Sequence, residues 1–213
     1  MMIRTTKLDI KADHNIEQIC QEIAHDYYDT ERVIFENGDV VLDIGAHVGV
    51  FSCWLAKLHP QIHVYAYEAV PATFEYLKLN TADLPNVTAY NLAVDVKPEI
   101  TIQHKPELAY CSSAHYGKDV VGAQEIKVKA ISLDEILASH DKVKFLKLDC
   151  EGSEWDLLLE SKLLDKVEYI GMELHWLPQY ADKKDAIRAK LRPWFDKNKV
   201  SLHIVNKLEA EGV

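Results

Sequence analysis

From Val40 onward, short apolar runs ending abruptly in acids or glycines alternate with segments of helical spacing. Val40-Val41-Leu42 leads into Asp43, then Gly45 and Gly49, before a second apolar run, Val50-Phe51-Ser52-Cys53-Trp54-Leu55. That order predicts a buried strand, a tight glycine turn and a helix ending near His59-Pro60. Further strands are expected at about 62–68, 87–94, 143–149, 169–175 and 200–205, and two short ones near 99–103 and 125–131 bracket an irregular segment. Helices are expected from Pro71 to about Asn80, after Ser132 as cap with Leu133, Ile136 and Leu137 facing inward, and over Glu154 to Leu159. A charged helix is expected over roughly 182–198. Upstream, Ile16, Ile19, Cys20, Ile23 and Tyr27 recur at helical spacing over 15–28, with Asn15 and Gln18 as a cap pair, and Asn37-Gly38 marks a turn.

Strands alternating with helices predict an α/β protein: a Rossmann-like, doubly wound and mostly parallel sheet. Residues 1–36 read as an N-terminal helical extension packed on residues 37–213, a single compact unit. No internal repeat, low-complexity tract or long linker interrupts the chain. Its 213 residues suffice for one sizeable core. In such sheets ligands gather at the carboxyl ends of the strands, and that rule selects the candidate residues.

Composition narrows the function classes. Hydrophobic residues make up 48% of the chain, as in ordinary globular proteins. No apolar run approaches the ~20 residues of a membrane span, and Met1 to Lys7 lacks the apolar core of a signal peptide. A net charge of −10 without any Lys/Arg run disfavours a nucleic-acid polymer as partner. Cys20, Cys53, Cys111 and Cys150 form no metal-like or C-x-x-C spacing, so reduced thiols in a cytoplasmic protein are expected. Oligomeric state is left open, with a homo-oligomer compatible with the sequence.

The glycine turn carries the first candidate site. Dinucleotide sites usually read G-x-G-x-x-G; here Gly45 and Gly49 are separated by Ala46, His47 and Val48, with Asp43 just before them. An acid there suits a ligand with an amino group or a sulfonium better than a pyrophosphate. Glu68 ends the next strand and is spaced to bind the ribose hydroxyls of a nucleoside. Together these residues point to S-adenosylmethionine, with S-adenosylhomocysteine as product.

A second constellation comes from Asp149-Cys150-Glu151-Gly152-Ser153-Glu154 and Glu173-Leu174-His175-Trp176, both at strand carboxyl ends. Asp149, Glu151, Glu173 and His175 are expected to share a crevice near the cofactor, where acids and a histidine tune one another for proton transfer. A divalent metal on these residues is the minority reading and no metal is expected. Glu154 fits the positive end of a helix, and Trp176 fits the edge of the core. The segment 104–124 is the candidate substrate loop, with His104, Tyr110, Ser112, Ser113, His115 and Tyr116 suited to a sugar or polyol.

The blocks Val41 to Gly49, Tyr67-Glu68-Ala69, Leu146 to Glu154 and Met172 to His175 together resemble the FkbM family of methyltransferases, over about residues 36–176. The resemblance implies a class I, S-adenosylmethionine-dependent enzyme, most often an O-methyltransferase of sugars, polyketides and related natural products. It implies that Asp43, Gly45, Ala46, Gly49 and Glu68 line the methionine and ribose, with His47 and Asp149 beside them. Asp149, Glu151, Glu173 and His175 match the family's later acidic and E-x-H motifs. The family usually has asparagine where this chain has His47, and a full class I sheet normally finishes with a hairpin. The expected mechanism uses His175 as general base, oriented by Glu173 or Asp149, acting on a hydroxyl of a small molecule or sugar. Rival readings are an N-methyltransferase, a nicotinamide oxidoreductase and a non-catalytic nucleoside-binding or interaction module.

Overall fold

Apolar runs of five or six residues between glycine and acid punctuation are too short for buried helices and become strands. In the computed structural model, which describes residues 2–3, 6–104 and 123–205, the strands are β1 (Met2–Ile3), β2 (Thr6–Lys7), β3 (Val40–Ile44), β4 (His63–Tyr67), β5 (Val87–Tyr90), β6 (Ala93–Val94), β7 (Glu99–His104), β8 (Gln124–Ile131), β9 (Val143–Leu148), β10 (Val167–His175) and β11 (Val200–Val205). The α-helices are α1 (Glu17–Ala24), α2 (Val50–Leu58), α3 (Pro71–Thr81), α4 (Leu133–Ala138), α5 (Glu154–Glu160) and α6 (Lys184–Phe195).

Six strands form one sheet in the order β11-β10-β9-β3-β4-β5, every pair parallel. The chain winds outward from β3 through β4 to β5, then returns to β9 on the other side of β3 and continues to β10 and β11. The reversal between β3 and β9 is the topological switch point, where a doubly wound sheet opens a crevice at its carboxyl edge. A smaller sheet of order β6-β8-β7 and a β1–β2 ladder complete the strands. This is the Rossmann-like α/β class expected from the alternation.

Side-chain alternation along the strands feeds two apolar layers. Leu42 and Ile44 pack with Leu133 and Ile136 of α4, Trp155 and Leu158 of α5, and Leu191 and Trp194 of α6. Val41, Val64 and Phe145 face Cys20 and Ile23 of α1 and Phe51 and Trp54 of α2. Leu8, Tyr28, Val33 and Phe35 belong to that same layer, so the N-terminal segment is built into the core beside the sheet. Ser132 heads α4 with a complete capping box to Glu135.

Three sequence expectations shift. The strand expected over 87–94 is broken into β5 and β6, where Asn91 donates its amide to the carbonyls of Glu68 and Ala69. The helix expected over 15–28 spans only α1. Asn15 accepts the Glu17 N–H, but Gln18 bonds to Glu22 instead of completing a cap pair, and Asp26 at φ 56° lies past the helix's end in the left-handed region. The charged helix narrows to α6, preceded by a 3-10 segment over Pro178–Lys183. At the sheet's edge β11 lies parallel to β10, and no closing hairpin is present among the described residues. No helix among the described residues is long and apolar enough to cross a membrane.

Candidate functional site

The glycine turn is held by its neighbours on both sides. The N–H groups of Gly45 and Ala46 donate to the Tyr67 carbonyl at 3.0 and 2.9 Å, and Asp149 N–H donates to the Ile44 carbonyl. Gly45 has φ 77°, and a Cβ there would lie 1.8 Å from the Asp149 carbonyl oxygen. Gly49 has φ 88°, and its Cβ would lie 2.7 Å from Leu77 Cδ1. The sequence alone suggested that these glycines make room for a ligand; the atoms that demand them are the protein's own.

Asp43 lies beneath the turn, fully buried. It accepts the Ser52 hydroxyl at 2.6 Å and pairs with Lys147 Nζ at 3.0 Å. Lys147, also buried, donates to the Gly45 carbonyl at 2.9 Å and sits over the rings of Tyr28 and Phe51. Burial opposes its charge, but Asp43 and Asp149 hold its pKa above the ordinary lysine value. Asp43 therefore fixes the turn's shape through an internal ion pair.

Glu68 at the end of β4 accepts His47 N–H on Oε2 at 2.9 Å and Val70 N–H on Oε1 at 2.8 Å. Each oxygen keeps a second lone pair for a ligand hydroxyl. Burial pushes its pKa up to about 7, against the two backbone donors. His47 adopts φ 54°. Its ring turns to the N-terminal segment, with Nε2 3.0 Å from His14 Nε2, while Asp13 holds His14 Nδ1 at 2.7 Å. Burial, then the His14 and Lys147 charges, lower the His47 pKa to about 3, so the ring is neutral.

The second cluster forms where β9 and β10 end side by side. After Asp149 the chain makes a tight left-handed loop, Glu151 at φ 58° and Gly152 at φ 116°. Glu154, fully buried on the first turn of α5, accepts N–H from Cys150 at 2.8 Å and from Gly152 at 3.0 Å. It also holds His175 Nδ1 at 3.1 Å. Glu154 is thus the partner that orients His175, in place of Glu173 or Asp149, and a helix-end charge alone understates its part. His175 Nε2 faces Glu151 and Glu173, each at 3.5 Å. Burial works against a charged ring, but Glu154, Glu151 and Asp149 raise the His175 pKa to about 9. Burial and the Asp149 charge push the Glu173 carboxyl above its usual range.

Asp149, Glu173 and His175 each bring a ligand-type atom within 4.8 Å of the others. Two tyrosines following α1 reach the same cluster: Tyr28 donates to Asp149 Oδ2 at 2.9 Å, and burial with the nearby Glu173 charge raises the Tyr27 hydroxyl's pKa. These tyrosines, Lys147 and the pinning role of Glu154 escape a reading of the motifs. The one signal in the sequence is a lysine set inside the apolar strand Leu146-Lys147-Leu148, where a charge needs a partner. Cys150 is a half-buried thiol held well above its ordinary pKa by desolvation and by Glu154, which makes it a poor nucleophile. Trp176 packs edge-on against Trp155 at the border of the core. Of the candidate substrate loop, His104 is buried at the end of β7, whereas Tyr110, Ser112, Ser113, His115 and Tyr116 lie outside the described residues.

The methyltransferase FkbM domain matches residues 43–201 of this chain, a span that includes the glycine turn, Glu68 and the whole second cluster. Among curated proteins, the AMB antimetabolite synthetase AmbE of Pseudomonas aeruginosa is 24% identical over 86% of this chain and 11% of its own length. Methyltransferase 1 of Beauveria bassiana is 24% identical over 66% of each chain. The 31-O-demethyl-FK506 methyltransferase FkbM of Streptomyces tacrolimicus is 42% identical over 43 residues, 20% of this chain and 16% of that one. This chain thus spans less than two thirds of the length of each curated relative. Among solved structures, precorrin-6y C5,15-methyltransferase from Geobacter metallireducens aligns at 12% identity with a TM-score of 0.42, over 78% of this chain and 66% of that chain.

Proposed function

The chain belongs to the FkbM methyltransferase family, and from that premise we propose that it transfers the methyl group of S-adenosylmethionine to a hydroxyl of a small molecule, sugar or natural product. One observation carries the reading. The glycine turn and Glu68 lie at the carboxyl ends of β3 and β4, the acid–histidine cluster at the ends of β9 and β10, and Gly45 abuts Asp149 where the two meet. A nucleoside held at the first group extends toward the second across the switch point. Glu68 would take the ribose hydroxyls, with both its oxygens already aimed by backbone donors.

In the reaction the acceptor oxygen attacks the methyl carbon in line with the carbon–sulfur bond, whose electron pair passes to sulfur and leaves S-adenosylhomocysteine. The acceptor's proton goes to the Asp149–Glu173–His175 cluster. His175 Nε2 lies 3.5 Å from the Glu173 carboxylate, so proton uptake belongs to that pair and not to one member. With its pKa raised to about 9 by the neighbouring carboxylates, His175 already carries its proton near neutral pH and cannot by itself take the acceptor's. Glu154 aims the ring and Tyr28 aims Asp149, so the cluster is held before an acceptor arrives. An amine acceptor is the second reading, supported by the excess of carboxylates at this end of the cleft; product analysis separates N- from O-methylation.

Calorimetric titration with S-adenosylmethionine and S-adenosylhomocysteine, with NAD as control, tests the cofactor. Micromolar binding of the first two, lost in Glu68→Ala, is expected. Failure of both to bind a folded protein would sink the methyltransferase reading.

A further inference from the structure

We infer that Asp149, Glu173 and His175 form a binding site for one divalent transition-metal cation at the acceptor end of the cleft. The cation's role rests on the methyltransferase reading, but its binding does not. The three ligand-type atoms lie within 4.8 Å of one another, so some point lies within about 2.8 Å of all three, roughly 0.6–0.8 Å outside the bond lengths of a zinc-like cation. They lie at the carboxyl ends of the adjacent parallel strands β9 and β10, and binding one ion would draw the Asp149 and Glu173 side chains inward onto His175.

A residue outside the triad supplies a second, independent observation. Glu154, fixed by the N–H groups of Cys150 and Gly152, binds His175 Nδ1 and leaves Nε2 directed at Glu151 and Glu173. A histidine that ligates a metal through one nitrogen characteristically gives the other to a carboxylate, which fixes the ring and its tautomer. The 3.5 Å separation of Nε2 from the Glu173 oxygen suits two ligands of one ion better than a hydrogen bond.

Charge balance points the same way. Asp149, Glu151, Glu154 and Glu173 converge here, and Glu22 of α1 adds its field to Asp149. Besides the His175 ring itself, the cation nearby is Lys147, whose Nζ is 3.0 Å from Asp43 but 3.8 Å from Asp149. Carboxylates crowded into a half-buried crevice repel one another strongly, and a divalent ion relieves that repulsion. One imidazole with two carboxylates favours manganese, iron or zinc over calcium or magnesium, which prefer all-oxygen shells. Three protein donors leave coordination positions for the acceptor oxygen, whose proton then departs more easily.

The test is titration of Mn2+ into the full chain after chelator treatment, followed by loss of the free-ion electron paramagnetic resonance signal, with no cofactor present. One Mn2+ per chain with micromolar Kd, displaced by Zn2+, is expected. Glu173→Gln and Asp149→Asn, both close in shape to the native side chains, should each weaken binding by about tenfold or more while keeping a cooperative unfolding transition. Wild-type binding no tighter than millimolar, or affinity unchanged in both variants, overturns the site. S-Adenosylhomocysteine titrated into the same metal-free protein reports separately on the cofactor, so a failed cation site and a failed methyltransferase reading are told apart. Should an ammonium-bearing acceptor occupy this crevice instead, wild-type protein would show no Mn2+ signal loss.

Discussion

Lys147 Nζ lies 3.0 Å from Asp43 Oδ1, and the two side chains are 5% and 0% exposed. The pair joins the two motifs across the switch point, and the same ammonium reaches the Gly45 carbonyl. Lys147→Met keeps the length of the side chain but leaves Asp43 buried beside the Ser52 hydroxyl alone. The expected loss is about 3–5 kcal/mol of unfolding free energy, because an unpaired buried charge costs more than the pair contributes. Adding Asp43→Asn to Lys147→Met should restore a substantial part of it. Urea denaturation of the three proteins checks this; a neutral Lys147→Met would mean that water reaches Asp43.

Two glycines with similar backbone angles should respond differently to alanine. Gly38 has φ 84° and open space where a Cβ would stand, with nothing within 4 Å, whereas Gly45 has φ 77° and would drive its Cβ to 1.8 Å from the Asp149 carbonyl. Gly38→Ala carries only the left-handed strain, about 1–2 kcal/mol. Gly45→Ala must also push β3 and β9 apart at their carboxyl ends, so it should cost more and abolish S-adenosylhomocysteine binding. Thermal unfolding and calorimetry on both variants decide the matter. Equal costs would show that the β3–β9 junction yields.

Much of this arrangement is legible in the sequence because the central strands β3, β4 and β9 are apolar runs ended by a glycine or an acid, Gly45, Glu68 and Asp149. The pairing of Asp149 with Glu173 and His175 follows from placing both motifs at strand carboxyl ends. What is illegible depends on contacts distant in sequence. Tyr28 reaches Asp149 across 121 positions, and its hydroxyl looks in the sequence like any other turn residue near a helix. Asn91 follows β5 and donates its amide to the carbonyls of Glu68 and Ala69, which only the fold brings within its reach. Glu154 reads as an ordinary first-turn acid until the left-handed loop at Glu151 and Gly152 brings two N–H groups and His175 onto it.

Glu68 links cofactor affinity to pH. Burial raises its pKa from 4.5 to about 7, so in the free protein the carboxyl holds its proton at mildly acid pH. The unfolded chain ionises first; this group's contribution to stability is therefore full below about pH 4.5 and lost as pH rises through about 7. Ribose hydroxyls that donate to Glu68 favour the ionised form, and affinity should move the opposite way. S-Adenosylhomocysteine binding is expected to strengthen as pH rises from 6 to 8, by up to about tenfold per unit on the acid side of 7. Calorimetry across that range checks it, and a flat profile would remove Glu68 from the ribose.

His47 sets an acid limit on stability. Burial first, with help from His14 and Lys147, lowers its pKa from 6.5 to about 3, so the folded protein keeps the ring neutral while the unfolded chain takes up a proton. The contribution is full above about pH 6.5 and is lost as pH falls from 6.5 toward 3. His47→Asn removes the titration and keeps a residue that tolerates the left-handed φ of 54° at this position. The stability difference between wild type and His47→Asn should shift in the variant's favour by about 1.4 kcal/mol per pH unit below 6.5. Glu68 titrates in both proteins and cancels from that difference. Urea unfolding at pH 7.5, 6 and 5 measures it; parallel curves would show that the imidazole takes a proton in the folded protein, with the His14 contact too loose to exclude water.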